Sequence, residues 1–342
     1  MAKVKFAILG CGHIGKRHAD VILQNPDAEL IALCDVKTKE ELELEKFDVP
    51  FFHHIDKLLN SGIAYDVVNI CTPNGLHAKH ALAALHTNRN VLIEKPLALK
   101  AEHCKWIIQK AKEKEKKVFC VMQNRFSPPA VLLKELISKN ILGKIYMLSV
   151  NCFWNRDERY YTGNTWHGAQ ELDGGTLFTQ FSHYIDLLYW LIGDIEDITA
   201  QFADFNHQKL TDFEDSGSFQ FRFQEKAIGT FQYSTSVLDK NFESSITIIG
   251  ENGTIKAGGQ YMEDIIYCNI KNYQPPDLPK TNKANHYGAY TGSAANHQQV
   301  IQNVIDVFQE KSSMAATAEE GMQVVNIIER IYSLRPASVL KS

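Results

Sequence analysis

The ten residues from Phe6 to Gly15, FAILGCGHIG, constrain this chain more than any other stretch. A short apolar run, Lys5–Leu9, ends in Gly10-Cys11-Gly12-His13-Ile14-Gly15, spaced G-x-G-x-x-G, and the amphipathic pattern of His13–Gln24 follows directly. A strand, a tight turn and a helix in that order predict the entry of a βαβ unit that binds a dinucleotide. The first glycine makes the turn, the second lets the backbone approach a pyrophosphate, and the third lets helix and strand pack closely. The helix N-terminus adds N–H donors and positive dipole. Gly10, Gly12, His13, Ile14 and Gly15 are therefore expected to contact the cofactor. The next apolar run, LIALCD, ends in Asp35, where a carboxylate accepts from ribose hydroxyls and repels a 2′-phosphate. NAD is expected over NADP.

The first 120 or so residues keep this rhythm. Apolar runs at Lys5–Leu9, Leu30–Cys34, Val67–Cys71, Val91–Glu94 and Val118–Met122 alternate with helical patterns at His13–Gln24, Lys39–Lys46, His77–Leu85 and Glu102–Lys114. Continuous rather than alternating apolar strands predict a parallel sheet covered on both faces. The texture then changes. Pro128–Ser138 and Thr176–Ile192 read as helices, residues 145–154 as a strand, and the segments between Ile195 and Gly258 alternate as antiparallel strands do, with GENG a plausible hairpin turn. Two helices, His297–Phe308 and Glu319–Leu334, close the chain.

In an open α/β sheet, ligands bind at the carboxyl ends of the strands. Thr72, Pro73, Asn74 and His77 fall there after the Val67–Cys71 strand. Lys95 falls there after the next one, inside the run NVLIEKPLAL, and this placement accounts for an ammonium in so apolar a stretch.

These features together, G-x-G-x-x-G, CTPNGLH, the EKP of Glu94-Lys95-Pro96 and GGTLFTQFSHYIDLLYWLIG, resemble the Gfo/Idh/MocA family of NAD(P)-dependent sugar oxidoreductases over nearly the whole chain. The resemblance implies an α/β Rossmann domain followed by an α+β domain with a large open antiparallel sheet. The expected division is 1–123 for NAD binding and 124–342 for substrate binding and oligomerisation, as a dimer or tetramer. It also implies that Lys95 and His183 are catalytic and that Glu94, Lys95 and Gln123 help to hold the cofactor. Oxidation of an alcohol requires the hydroxyl proton to leave. Imidazole can accept it near neutral pH, while a charged lysine stabilises the developing alkoxide. Inositol dehydrogenase-like members carry an aspartate four residues before the histidine, and this chain has Thr179 there.

The loop NCFWNRDERYYTGNTWHGAQELDGG is similar to that of a subgroup which oxidises the 3-hydroxyl of UDP-linked N-acetylated glucuronate in bacterial surface-polysaccharide pathways. In that subgroup 2-oxoglutarate can reoxidise the NADH. An anionic sugar nucleotide needs cations and aromatic surface. Arg125, Trp154, Arg156, Tyr160, Trp166 and Thr179, with Lys95 and His183, are the expected substrate contacts. A loop at 287–293 is a further candidate cover.

A net charge of -4 with dispersed basic residues excludes a nucleic-acid surface, and seven scattered cysteines without a C-x-x-C pair fit a reducing cytoplasm and no metal site. No stretch approaches a membrane span or a signal peptide. Three alternatives remain open: a dehydrogenase of a free polyol or monosaccharide, an NAD-dependent glycoside hydrolase, and a non-enzymatic dinucleotide-binding protein.

Overall fold

A computed structural model describes residues 2–162, 166–224, 226–286 and 290–336. The chain forms two compact units, Met1–Met122 with His297–Val325, and Gln123–Asn296 with Asn326–Ser342.

In the first unit β1 (Val4–Leu9), α1 (His13–Gln24), β2 (Ala28–Cys34), β3 (Phe51–Phe52), α2 (Ile55–Leu59), β4 (Val67–Ile70), α3 (His77–His86), β5 (Asn90–Ile93), α4 (Ala101–Glu113) and β6 (Val118–Cys120) follow in sequence. The parallel sheet has the order β3-β2-β1-β4-β5-β6, so the winding reverses between β1 and β4. Phe6, Ile8, Val67, Val91 and Ile93 are fully buried, which is why these strands read as unbroken apolar runs. Each such side chain contributes about 1.5–3 kcal/mol on leaving water.

The helix expected at Lys39–Lys46 is a series of turns. Leu42 and Leu44 within it and Phe47 just after it are buried, a spacing that makes no helical stripe, and Glu43 has a φ of 51°.

The second unit holds α5 (Pro128–Ser138), β7 (Ile145–Phe153), α6 (Glu158–Tyr161), α7 (Ser182–Ile192), β8 (Ile195–Ala203), β9 (Ser216–Phe223), β10 (Ile228–Ser234), β11 (Glu243–Gly250), β12 (Gly253–Gly258), β13 (Asp264–Ile270) and the short hairpin β14 (Ala284–His286) and β15 (Thr291–Ala294). Its main sheet, β13-β12-β11-β7-β10-β9-β8, is antiparallel except where β10 runs parallel to β7, so it is mixed. Alternate residues face the core: Leu148, Val150 and Cys152 on β7, and Phe219, Phe221 and Phe223 on β9. Phe219 stacks on its cross-strand partner Phe231 with centroids 4.9 Å apart. Helix α5 packs against α7 and against β12 and β13.

Two further helices are α8 (His297–Phe308) and α9 (Ala318–Tyr332). Whereas the sequence reading assigns everything after residue 123 to the second domain, His297–Val325 packs within the first unit. There α8 lies on α1, with Asn25 Nδ2 donating to Gln302 Oε1 at 2.8 Å, and Thr317 pairs with Phe119 at the edge of β6. Among the described residues no helix is long and apolar enough to cross a membrane.

Candidate active site

The glycine turn is built from backbone contacts that leave no room for side chains. Gly10 has a φ of 90°, and a Cβ on it would lie 2.6 Å from the Cys71 carbonyl. One on Gly15 would lie 1.9 Å from the Gly10 oxygen. A Cβ on Gly12 would meet nothing within 4 Å. That open space faces the start of α1, which has no side-chain cap and no acidic residue in its first turn. The helix dipole at the start of α1 therefore favours an anion. Burial, and then Lys16, lower the pKa of the His13 imidazole and so disfavour its charged form. These features fit a dinucleotide pyrophosphate. Asp35 Oδ2 accepts from Cys11 N at 2.6 Å and Oδ1 from Lys37 N at 3.0 Å. The carboxylate thus braces the turn and keeps lone pairs for hydroxyls.

Thr72 and Pro73 follow β4, and Asn74 opens a short 3-10 turn leading into α3. His77 is buried, with Nδ1 2.7 Å from the Pro96 carbonyl and Nε2 2.8 Å from that of Thr72. Burial lowers the pKa of this imidazole and so favours its neutral form, whose single N–H donates to one of the two carbonyls while the ring sits between the exits of β4 and β5. Lys95 stands at the end of β5, followed by cis-Pro96.

Glu94 turns inward. Its Oε1 is 2.9 Å from His18 Nε2 and 3.3 Å from His297 Nε2, and its Oε2 accepts from Lys95 N at 3.2 Å. Asn69 Nδ2 stands 3.0 Å from His18 Nδ1, which sets His18 in the tautomer with its proton on Nε2. Burial pushes the Glu94 carboxyl up, but the two imidazoles outweigh it and hold the carboxyl well below its ordinary value. A buried carboxylate thus anchors the backbone of Lys95.

In the second unit, one turn of π-helix, Leu177–Phe181, leads into α7. The sequence reading runs a single helix from Thr176 to Ile192. The wider turn places Thr179 so that its hydroxyl donates to the Asp173 carboxylate and to the Asp173 carbonyl at 3.0 Å. Asp173, the aspartate of the DGG that ends the loop, therefore brings a carboxylate to Thr179, where inositol-type members are expected to carry their own. His183 is buried in the first turn of α7. Gln123 Nε2 is 3.3 Å from His183 Nε2 and 3.2 Å from Ser293 Oγ, and Asn296 Nδ2 donates to the Gln123 carbonyl at 3.2 Å. Ser293 and Asn296 lie 170 and 173 residues from Gln123, a pairing no local pattern announces.

The aromatic and arginine candidates are mostly internal. Arg125 makes a buried bidentate ion pair with Asp186, with Nη2 to Oδ1 at 2.6 Å and Nε to Oδ2 at 2.9 Å. Trp154 is core, its Nε1 donating to Ser244 Oγ at 2.8 Å and its ring edge-on to Phe181 and Tyr184. Arg156 is also buried, donating to Gln180, Asn155, Asn241 and Thr291. Tyr160 accepts from Gln180 Nε2 at 2.8 Å and stacks on His167, against which Trp166 stands edge-on. Of the 287–293 loop, Tyr287, Gly288 and Ala289 lie outside the described residues.

Comparison with known proteins gives the family of the chain. Residues 4–122 match the oxidoreductase family with an NAD-binding Rossmann fold, and residues 131–256 match the GFO/IDH/MocA C-terminal domain. The WlbA dehydrogenase from Bordetella pertussis, solved in complex with NADH and UDP-GlcNAcA, is 31% identical with a TM-score of 0.86, over 97% of this chain and 96% of that one. The scyllo-inositol 2-dehydrogenase (NADP(+)) of Bacillus subtilis is 24% identical over 95% of this chain and 92% of its own length. The D-glucoside 3-dehydrogenase of Escherichia coli is 23% identical over 96% and 94% respectively. The chain belongs to the Gfo/Idh/MocA family and is an NAD-dependent oxidoreductase.

Proposed function

We propose that this protein oxidises the 3-hydroxyl of a UDP-linked, N-acetylated glucuronate to a ketone, as a step in surface-polysaccharide synthesis. The observation that carries the reading is the likeness, over 97% of the chain, to a dehydrogenase solved with NADH and UDP-GlcNAcA. Bound NAD supplies the two-electron acceptor. His183 takes the hydroxyl proton, and Lys95 remains cationic to stabilise the alkoxide as it forms. Asp35 receives the adenine ribose, and the turn from Gly10 to Gly15 the pyrophosphate. Thr179, Tyr160 and Trp166 meet the substrate, whereas Arg125 and Trp154 support them from within. 2-Oxoglutarate is the proposed reoxidant, and a dimer or tetramer the proposed assembly.

A second reading, oxidation of a free sugar or cyclitol, is favoured by the inositol and glucoside dehydrogenases among the relatives. Steady-state kinetics separates the two. The first reading expects kcat/KM for UDP-N-acetylglucosaminuronate to exceed that for scyllo-inositol or a methyl glucoside by at least about a hundredfold, because a site built for a charged ligand leaves polar groups unpaired without it. Equal values, or a reversed order, would give preference to the second.

A further inference from the structure

Strand β15 delivers a hydroxyl to His183 from 110 residues away in the chain. Ser293 Oγ lies 3.4 Å from His183 Nε2, and the Gln123 amide nitrogen lies 3.3 Å from the same ring nitrogen and 3.2 Å from the serine. An amide nitrogen has only hydrogens to offer, so a bond to Nε2 requires that Nε2 carry a lone pair. The ring proton is then on Nδ1. The serine hydroxyl accepts from Gln123 and has its own hydrogen left, and Nε2 is the acceptor beside it. The charged pair on the neighbouring elements, Arg125 with Asp186, neutralises itself.

The serine is held in place by an anchor two residues upstream. The Thr291 carbonyl accepts from Arg156 Nη2 at 3.3 Å and Asn241 Nδ2 at 3.2 Å. Arg156 is fixed in turn by Gln180 at 2.7 Å and the Asn155 carbonyl at 2.6 Å, with the rings of Trp154, Tyr160 and Tyr290 around its guanidinium at 4.8–5.2 Å. A guanidinium so enclosed cannot move without losing several bonds at once, which makes it a rigid post for β15.

We infer that Ser293 is a positioning residue: with Gln123 it selects the tautomer of His183 whose Nε2 is unprotonated and able to take the substrate hydroxyl proton. The inference rests on the reading of His183 as the base, and the test is chosen to separate the two. Side-chain 15N NMR of the full-length protein, with His183 assigned by its loss in H183N, is expected to show Nε2 as the unprotonated nitrogen and Nδ1 as the protonated one. Ser293 acts through Gln123, whose amide nitrogen loses in Ser293→Ala the oxygen that holds it beside His183; the two tautomers should then mix and kcat fall about tenfold with the KM for NAD unchanged, and Ser293→Thr should restore both. A wild-type spectrum with the proton on Nε2 overturns the inference, whether or not Ser293→Ala folds. So does a Ser293→Ala protein with unaltered tautomer and turnover. Full turnover in H183N would instead remove the base reading, while the spectrum would still decide the tautomer.

Discussion

The glycine turn yields a prediction that separates folding from cofactor binding within six residues. At Gly12 the backbone has a φ of -66°, which any residue adopts, and an added Cβ meets nothing within 4 Å. Gly12→Ala should therefore fold with a cost of about 0–1 kcal/mol. Its methyl would, however, occupy the space above the N-terminus of α1, which has no side-chain cap, and hold an incoming phosphate off the N–H donors there. Losing two charge-assisted hydrogen bonds at about 1.5–3 kcal/mol each weakens NAD binding by roughly 100- to 10,000-fold. Gly15→Ala is the contrasting case. Its Cβ would stand 1.9 Å from the Gly10 oxygen and 2.9 Å from the Gly10 carbonyl carbon, both backbone atoms, so β1 and α1 must part. The expected cost is about 1–3 kcal/mol or more in stability, before any ligand is added. Calorimetric melting and isothermal titration with NAD measure the two quantities on each variant. Gly12→Ala protein binding NAD within a few-fold of wild type would refute the argument that the pyrophosphate crosses this turn.

Other outcomes follow from the buried polar groups. Arg125→Met leaves the Asp186 carboxylate buried without its partner and should cost about 3–5 kcal/mol in urea denaturation. Replacing both residues by apolar ones of similar volume should recover most of that loss. The Glu94 carboxyl is held well below its ordinary value of 4.5, so its contribution to stability is fully present above that pH and is lost as pH falls through the folded-state value. Glu94→Gln should accordingly melt lower than wild type at pH 7 and show a flatter decline in melting temperature below pH about 4.5. Six of the seven cysteines are buried and only Cys268 is partly accessible, while burial and then Asp35 push the Cys34 thiol up to about 12. A thiol reagent at pH 8 should label Cys268 first, and the others only on unfolding; rapid labelling of Cys11 or Cys34 in the native protein would contradict this.

The parts of the structure that depend on local spacing were legible in the sequence. The glycine turn, Asp35 at the end of β2, Lys95 at the end of β5 and His183 on α7 all stand on the expected elements, because periodicity and turn chemistry act over a few residues. What was not legible is non-local. Arg125 and Arg156 are expected at the substrate because an anionic sugar nucleotide needs cations, and the sequence gives no sign of the partners each has within the fold. Their burial depends on Asp186 and Asn241, 61 and 85 residues away. Ser293 and Asn296 sit in a Pro/Asn/Gly-rich stretch that carries no periodic signal, and the β14–β15 hairpin there went unread. The false helix at Lys39–Lys46 shows the opposite error, in which charged residues of good helix propensity yielded to three buried side chains that no single helical face could serve.

The central claim, NAD-dependent oxidation at the sugar's 3-position, is tested most directly with UDP-N-acetylglucosaminuronate deuterated at that carbon. The enzyme is incubated with it and NAD, and the reduced cofactor and sugar nucleotide are weighed by mass spectrometry. The account predicts NADH carrying the deuterium and a sugar nucleotide that has lost it together with the hydroxyl hydrogen. Reduced cofactor without deuterium would place the oxidation at another carbon. No reduced cofactor from this substrate, with NAD shown to be bound, would contradict the proposed substrate altogether.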